Sequence, residues 1–198
     1  MPSDPRRIRA LCVYCGSNAG NDRVFVEAAA TLGREAAERG VRIVYGGGSI
    51  GLMGAVADAA LAGGGEVHGI IPQHLARREV QNVEVTRMEV VESMHHRKMR
   101  MFDESDAFAI LPGGLGTLDE TFEMLTWRQL GLHDKPVVLV NVDDYWTPLL
   151  EAIGQMVRRG FVRPKHAGLL SVVGRVEDLF PALELTPPPR PTDSIELA

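Results

Sequence analysis

A glycine-rich turn with a carboxylate close behind it is the part of the sequence best suited to chemistry. Residues 112–120 read Pro-Gly-Gly-Leu-Gly-Thr-Leu-Asp-Glu and directly follow the apolar run Ala107–Leu111. Glycines let the backbone approach a ligand closely, and the start of a helix supplies free N–H donors and the positive end of a dipole. The stretch therefore predicts a phosphate-binding turn between a buried strand and a helix over Thr117–Leu130, with Glu120 beside it.

Thr117 and Glu120 also have the spacing of a capping box. In that motif the threonine caps the helix, and the glutamate three residues later reaches back to the backbone N–H of the cap. The motif alone leaves this alternative open. A capping box does not need the Gly-Gly-x-Gly that precedes Thr117, so the glycines favour a ligand site.

A cationic stretch lies shortly upstream, in the predicted helix Met94–Glu104. It reads His95-His96-Arg97-Lys98 and is followed by Arg100. Such a cluster can bind an anion, although a solvated basic face is the commoner role for charges on an amphipathic helix. Adjacent histidines on a helix cannot easily chelate one ion, and no third ligand is apparent, so we expect no metal site.

Residues 46–51 match the pattern G-x-G-x-x-G after the predicted strand Val41–Tyr45. In a dinucleotide site this pattern follows the first strand, and an acid ends the next strand. Here the pattern follows the second strand, and the acid at a suitable distance, Glu66, begins a strand. The pattern therefore favours a general phosphate or ribose cradle over an NAD site, and a purely structural turn stays open.

Cys12 and Cys15 form a Cys-x-x-Cys pair. A redox pair should open a helix, with its thiolate at the helix N-terminus. Cys12 lies instead within an apolar, strand-like run. We therefore interpret both cysteines as structural residues.

Short apolar runs alternate with helical segments along the chain, which is typical of a parallel sheet covered on both faces. We predict an α/β fold, a Rossmann-like doubly wound parallel sheet in a single domain over residues 1–185, with a flexible proline-rich tail over residues 186–198. The glycine-bearing turns after the strands should gather at one edge of this sheet. The predicted strands are Arg9–Tyr14, Val41–Tyr45, Glu66–Ile71, Val83–Val91, Ala107–Leu111, Pro136–Asn141 and Leu169–Val173. The other predicted helices are Asp22–Arg39, Leu52–Ala62, Trp146–Arg159 and Val176–Leu185.

The composition is that of an ordinary globular chain, with 198 residues, 45% hydrophobic and 24% charged. A formal net charge of −5 argues against a nucleic-acid partner, while a local basic cluster can still bind a small anion. No apolar run is long enough to span a bilayer, and the N-terminus lacks the apolar region of a signal peptide. We expect a cytoplasmic protein that does not bind membranes.

At the level of motifs the sequence resembles the LOG ("lonely guy") family of cytokinin riboside 5′-monophosphate phosphoribohydrolases. Residues 112–120 match its PGGxGTxxE signature. The resemblance covers roughly residues 8–180 in matching order. It also includes the segments Val13–Ser17, Tyr45–Gly54, Met94–Met101, Thr126–Gly131 and Asn141–Leu150.

The resemblance implies hydrolysis of the N-glycosidic bond of adenosine 5′-monophosphates, often N6-substituted, to the free base and ribose 5-phosphate. It implies no cofactor, and a homodimer whose site is completed across the interface. Arg97 and Glu120 match the catalytic pair. Leu115 stands where many members have tyrosine, which could alter base preference. The residues assigned to substrate binding are Ser17, Gly47, Glu79, Met94, Lys98, Gly114, Leu115, Gly116, Thr117 and Thr126.

The chemistry expected of the catalytic pair follows from the residue types. Breaking a ribosyl C–N bond builds positive charge on the sugar, which a fixed carboxylate at Glu120 can stabilise while it orients water. Arg97 keeps its proton, so it should hold phosphate or assist the departing base electrostatically. The alternatives are a general AMP or purine 5′-monophosphate nucleosidase, a non-catalytic carrier of a nucleotide or of molybdenum cofactor, and an NAD-binding protein. The family also has an old label, lysine decarboxylase. Such an enzyme needs a lysine that forms a Schiff base with its cofactor, and the sequence contains no convincing candidate.

Overall fold

The computed structural model describes residues 7–76, 82 and 84–185. In this part of the chain, seven short strands form one sheet in which every neighbouring pair is parallel. Every residue of the strands Ala10–Tyr14, Ala107–Ile110 and Val137–Val140 is buried, as expected for apolar runs that are covered on both faces. The strands are Ala10–Tyr14 (β1), Arg42–Tyr45 (β2), Val67–Pro72 (β3), Arg87–Val91 (β4), Ala107–Ile110 (β5), Val137–Val140 (β6) and Leu170–Val173 (β7).

The strand order is β4-β3-β2-β1-β5-β6-β7, which confirms the predicted doubly wound, Rossmann-like sheet. The chain first builds outward from β1 to β4 and then returns to the other side of β1 to add β5. The order of the strands therefore reverses between β1 and β5. In open α/β sheets, ligands bind in the crevice at the carboxyl ends of the strands at this point. The glycine turns that follow β1 and β5 lie at that crevice.

Helices cover both faces of the sheet. Successive side chains of each strand point to opposite faces, so a strand that is apolar throughout has an apolar surface on each face to be covered. Leu11 and Val13 belong to one apolar cluster, which includes residues of the helices Arg23–Glu38, Gly51–Ala62 and Leu179–Glu184. Cys12 and Tyr14 belong to a second cluster, which includes Met101 and Met124. The helices are Arg23–Glu38 (α1), Gly51–Ala62 (α2), Gln73–Ala76 (α3), Met94–Asp103 (α4), Leu115–Gln129 (α5), Thr147–Arg158 (α6), Pro164–Ala167 (α7) and Leu179–Glu184 (α8).

Most predicted elements form within one or two residues of their expected bounds, and the exceptions are short. Residues 73–76, which lie between predicted elements, form α3, and β3 ends at Pro72, one residue beyond the predicted strand Glu66–Ile71. The strand-prone run Val83–Val91 forms a strand only from Arg87. The described residues include no helix long and apolar enough to cross a membrane. The predicted tail, residues 186–198, lies outside the described residues.

Burial shows the structural role of two sets of apolar residues. Met124 is fully buried, and Leu125 and Trp127 pack against the same cluster, so these α5 residues belong to the core. Cys12 and Cys15 are buried free thiols. Burial raises the pKa of both thiols well above its ordinary value, so neither has the character of a redox thiolate.

Candidate functional site

Three loops after parallel strands meet at the carboxyl edge of the sheet, as the sequence predicts. The backbone N–H of Gly16, after β1, donates to the carbonyl of Pro112, after β5, at 3.0 Å. The carbonyl of Gly16 accepts from the N–H of Leu52, at the start of α2, at 3.1 Å. The loop after β1 therefore fastens the other two loops together.

A cavity of about 620 Å³ opens between these loops. Its volume suits a ligand of nucleotide size. Eight of the residues proposed from the sequence line it: Ser17, Met94, Arg97, Gly114, Leu115, Gly116, Thr117 and Glu120.

Arg97 and Glu120 form a buried ion pair in the cavity wall. Arg97 Nη1 lies 3.3 Å from Glu120 Oε1, and the two residues are only 9% and 6% exposed. Arg97 Nε donates to the carbonyl oxygen of Ile70 at 3.1 Å. The guanidinium also packs against Gly46, where any side chain would overlap it. The pair is thus held by β3, the loop after β2 and α5 together.

The charge state of Glu120 is set by opposing effects. Burial raises the pKa of its carboxyl group, the neighbouring Arg97 lowers it, and Asp119 raises it further. The net result is a pKa above the ordinary value of 4.5. Glu120 is therefore a carboxylate that is poorly hydrated and stabilised by one specific cation, which is typical of functional sites.

Lys98 is held by α5 and does not line the cavity. Its Nζ lies 3.1 Å from Glu123 Oε2 and 3.2 Å from Asp119 Oδ2. Burial opposes the charged form, but the hydrogen bonds to Glu123 and Asp119 raise the pKa of Lys98 overall. Its position, one residue after Arg97, places a second cation–carboxylate cluster behind the Arg97–Glu120 pair.

The capping-box interpretation of Thr117 and Glu120 is wrong. Helix α5 begins at Leu115 with Gly114 as its N-cap, so both residues lie inside the helix. Thr117 is buried, and a side chain at Gly113 would overlap its hydroxyl group. The glutamate side chain is free of a capping role and turns to Arg97.

Gly114 and Gly116 are glycines that the protein's own packing does not require. A β-carbon built on either residue meets no described atom within 4 Å, and neither residue has a positive φ. Both glycines line the cavity. They allow a ligand to approach the first turn of α5, where backbone N–H groups have no acceptor within the helix. A helix start with this open space is suited to binding an anion.

The glycines of the loop after β2 serve packing instead. Gly51, with φ +63°, lies so close to the carbonyl of Ser17 that a side chain would collide with it. Gly47 has φ +80° and packs against Ile71, and it does not line the cavity. Gly46 makes room for Arg97. Gly46 and Gly51, two of the three glycines in the G-x-G-x-x-G pattern, are thus explained by close contacts within the protein.

Two further candidate substrate-binding residues are not found in the cavity wall. Thr126 is eleven residues along α5 from Leu115, about 16 Å at the helical rise per residue, and its hydroxyl donates to the carbonyl of Phe122 at 2.7 Å. Glu79 lies outside the described residues.

Sequence reasoning missed several residues of the cavity wall, among them Asn18, Phe25, Leu75 and Tyr145. They come from the loop after β1, from α1, from α3 and from the loop after β6. Only Tyr145 lies in a segment singled out from the sequence, Asn141–Leu150, and that resemblance assigned it no role. The strand order offers a second signal: β6 lies beside β5, so the loop after β6 must border the glycine-rich turn after β5.

Within the described part of the chain, we find neither a metal-binding cluster nor a lysine in the cavity wall that could form a Schiff base. Among the described residues, no three His, Cys, Asp or Glu side chains are placed to hold a metal ion. The described residues that line the cavity include no lysine. Lys135 lies elsewhere, where its Nζ donates to the carbonyl of Phe102 at 2.6 Å.

Solved structures with the same architecture include two molybdenum cofactor proteins. The carrier protein from Chlamydomonas reinhardtii has a TM-score of 0.63 at 22% identity, covering 89% of this chain and 96% of the other. The binding protein from Rippkaea orientalis has a TM-score of 0.67 at 21% identity, covering 88% and 94%. At this level of identity the likeness shows the shared fold alone.

Curated relatives are much closer in sequence. A probable cytokinin riboside 5′-monophosphate phosphoribohydrolase of Oryza sativa subsp. japonica is 46% identical over 178 residues, covering 90% of this chain and 73% of the relative. The cytokinin riboside 5′-monophosphate phosphoribohydrolase of Arabidopsis thaliana is 44% identical over 178 residues, covering 90% and 84%. The model of a family described as "possible lysine decarboxylase" matches residues 53–183. The chain belongs to this family, in the LOG group of cytokinin riboside 5′-monophosphate phosphoribohydrolases.

Proposed function

We propose that the protein hydrolyses the N-glycosidic bond of adenosine 5′-monophosphates, including N6-substituted ones, and releases the free base and ribose 5-phosphate. The observation that carries this proposal is the buried Arg97–Glu120 pair, 3.3 Å apart, in the wall of a cavity that also contains an anion-binding helix start. The activity named for the relatives at 44–46% identity supports it.

The reaction adds water across the bond between C1′ of the ribose and the nitrogen of the base. As that bond breaks, its electron pair leaves with the base and positive charge develops on the sugar. The Glu120 carboxylate stabilises this charge and orients the water that attacks C1′. The water oxygen becomes the new hydroxyl of ribose 5-phosphate, and the base gains a proton in place of the sugar.

Arg97 supports this step without transferring a proton. Its guanidinium stays charged and lowers the pKa of Glu120, which keeps the carboxyl group ionised. The bond from its Nε to Ile70 holds the guanidinium in one orientation. Arg97 also lines the cavity, where its positive charge can stabilise the negative charge that develops on the departing base.

The 5′-phosphate is held at the first turn of α5. The N–H groups there and the positive end of the helix dipole favour a dianion. The open space over Gly114 and Gly116 allows phosphate oxygens to reach the backbone. With the phosphate bound there, the proposed position of the ribose is between the first turn of α5 and Glu120, about one helical turn further on.

We also propose that the protein is a homodimer in the cytoplasm. All twelve residues of α6 are described, and none is fully buried. Leu149 packs against the core, but Met156 is 43% exposed. A second copy that covers this apolar side would remove it from water. Light scattering coupled to size-exclusion chromatography tests the dimer.

The proposed cytoplasmic location is consistent with the free cysteines, which fit a reducing compartment. Fractionation of expressing cells tests this location.

Product analysis tests the proposed reaction. The purified protein is incubated with AMP and, separately, with isopentenyl-AMP, and the products are separated by chromatography. We expect free base and ribose 5-phosphate, and at least a thousandfold less of both with Glu120→Gln, which keeps the size of the side chain. The ratio of the two rates distinguishes a general AMP nucleosidase from an enzyme for N6-substituted nucleotides. Absence of products from either nucleotide would contradict the proposal and favour a carrier.

A further inference from the structure

Tyr145 contacts the phosphate-binding turn directly, although it comes from a different strand. Its hydroxyl donates to the carbonyl oxygen of Gly113 at 2.6 Å. The ring packs edge-on against Phe25, with centroids 5.5 Å apart, and against Trp146, with centroids 4.7 Å apart. Tyr145 also lines the cavity. The loop after β6 thus reaches over to the turn between β5 and α5.

The bonded carbonyl belongs to a peptide that would otherwise rotate freely. It joins Gly113 to Gly114, and glycines restrict rotation on neither side. The C=O and N–H of a trans peptide point in opposite directions. A rotated Gly113–Gly114 peptide would exchange an N–H donor for a carbonyl acceptor at the helix start. That exchange would repel an anion.

The preceding carbonyl is held in a similar way. The oxygen of Pro112 accepts from the N–H of Gly16 at 3.0 Å. Two consecutive carbonyl groups of the turn are therefore each bound by a donor from another loop. The second donor, the Tyr145 hydroxyl, is the only one of the two that a side-chain substitution can remove.

The loop that carries Tyr145 is shaped at a conformational cost. Asp143 and Asp144 have φ of +49° and +56°, which is uncommon for residues other than glycine. Asn141 braces the loop, because its Oδ1 accepts from the N–H of Trp146 at 2.7 Å and its Nδ2 donates to Thr147 Oγ1 at 3.1 Å. Strained backbone held by a side-chain network is typical of functional loops.

We propose that Tyr145 is a positioning residue that locks the Gly113–Gly114 peptide in the orientation that binds the 5′-phosphate. The proposal rests on the proposed function for the identity of the anion. Tyr145 acts on binding of the phosphorylated sugar and leaves contacts with the base unchanged. It does not take part in cleavage of the glycosidic bond.

The test compares Tyr145→Phe with the parent protein. Phenylalanine keeps the ring contacts at a position that is 41% exposed, so the fold should tolerate it. Thr31→Val is the control, because it removes a hydroxyl group from an exposed contact in α1. The dissociation constant of ribose 5-phosphate is measured by calorimetry, and the inhibition constant of adenine is measured against AMP hydrolysis.

We expect Tyr145→Phe to weaken ribose 5-phosphate binding about tenfold, and to raise KM for AMP similarly, with kcat within threefold and adenine inhibition unchanged. Thr31→Val should match the parent. Calorimetry is independent of turnover, so weaker binding of ribose 5-phosphate to Tyr145→Phe supports the proposal even if no nucleotide is hydrolysed. Binding within twofold of the parent, an equal loss of adenine affinity, or no binding of ribose 5-phosphate to the parent overturns it.

Discussion

Arg97 Nη1 and Glu120 Oε1 lie 3.3 Å apart, although the two residues are on different helices that cover the same face of the sheet. Both side chains are almost fully buried, so their attraction is weakly screened by solvent. Removal of either partner leaves an uncompensated buried charge. The pair is therefore sensitive to small changes around it.

The fall in activity on the acid side of the pH–activity profile should reflect protonation of Glu120. Its pKa lies above 4.5 because burial disfavours the charged form, so kcat/KM should fall on acidification with an apparent pKa above that value. Lys98 lowers the pKa of Glu120, so Lys98→Met should move this limb to higher pH. Lys165→Met, in α7, is the matched control and should leave the limb in place. A limb at or below pH 4.5, or a shift to lower pH in Lys98→Met, contradicts this assignment.

Arg97→Ala should reduce kcat/KM for AMP at least tenfold, equivalent to about 1.4 kcal/mol of transition-state stabilisation. The cause is loss of the cation that keeps Glu120 ionised and fixed. The remaining activity should also show its acid limb at higher pH than the parent. Steady-state kinetics from pH 4.5 to 8 check both effects. An unchanged kcat/KM at every pH would remove Arg97 from the mechanism.

Gly46→Ala should damage activity more than it damages the fold. The added methyl group overlaps the end of the Arg97 side chain, which can move, and lies 3.0 Å from Met53 Sδ. We expect displacement of the guanidinium and at least a tenfold fall in kcat, with a melting temperature within a few degrees of the parent. Gly174→Ala is the control, since its β-carbon meets no described atom within 4 Å. Full activity in Gly46→Ala would show that the position of Arg97 is not critical.

Stability should fall on acidification because of His133. Its Nδ1 accepts from the N–H of Lys135 at 3.1 Å, so the ring is neutral and its Nε2 donates to the Met124 carbonyl at 2.9 Å. Burial lowers the pKa of His133 below 6.5 in the folded state. As the pH falls through 6.5, the unfolded chain takes up the proton first, so the free energy of unfolding decreases.

His133→Gln should reduce this pH dependence. Each buried neutral histidine contributes at most about 1.4 kcal/mol per pH unit in that window. His68, whose pKa is lowered by burial and by Arg87, contributes with the same sign and remains in the variant. Urea unfolding at pH 7.5 and 5.5 measures the difference. An equal or larger loss of stability in His133→Gln between these pH values would be inconsistent with the prediction.

The sequence by itself determined the architecture and the glycine-rich turn that lines the cavity. Runs such as Ala107–Leu111 are too short and too uniformly apolar for anything but buried strands, and their alternation with helices requires a parallel sheet. Gly114 and Gly116 indicated the turn, because the absence of a side chain is a property of glycine itself and can be recognised in the sequence. These features are local, so a linear pattern contains them.

The tertiary structure decided which side chains meet. Thr117 and Glu120 have a spacing that suits either a cap or a site, and only the start of α5 at Leu115 excludes the cap. The placement of Lys98 against Asp119 and Glu123, and of Tyr145 against Gly113, depends on strand order and on how helices cross the sheet. Such contacts join residues 21 to 32 positions apart. No local pattern specifies them, because packing of the whole core sets these distances.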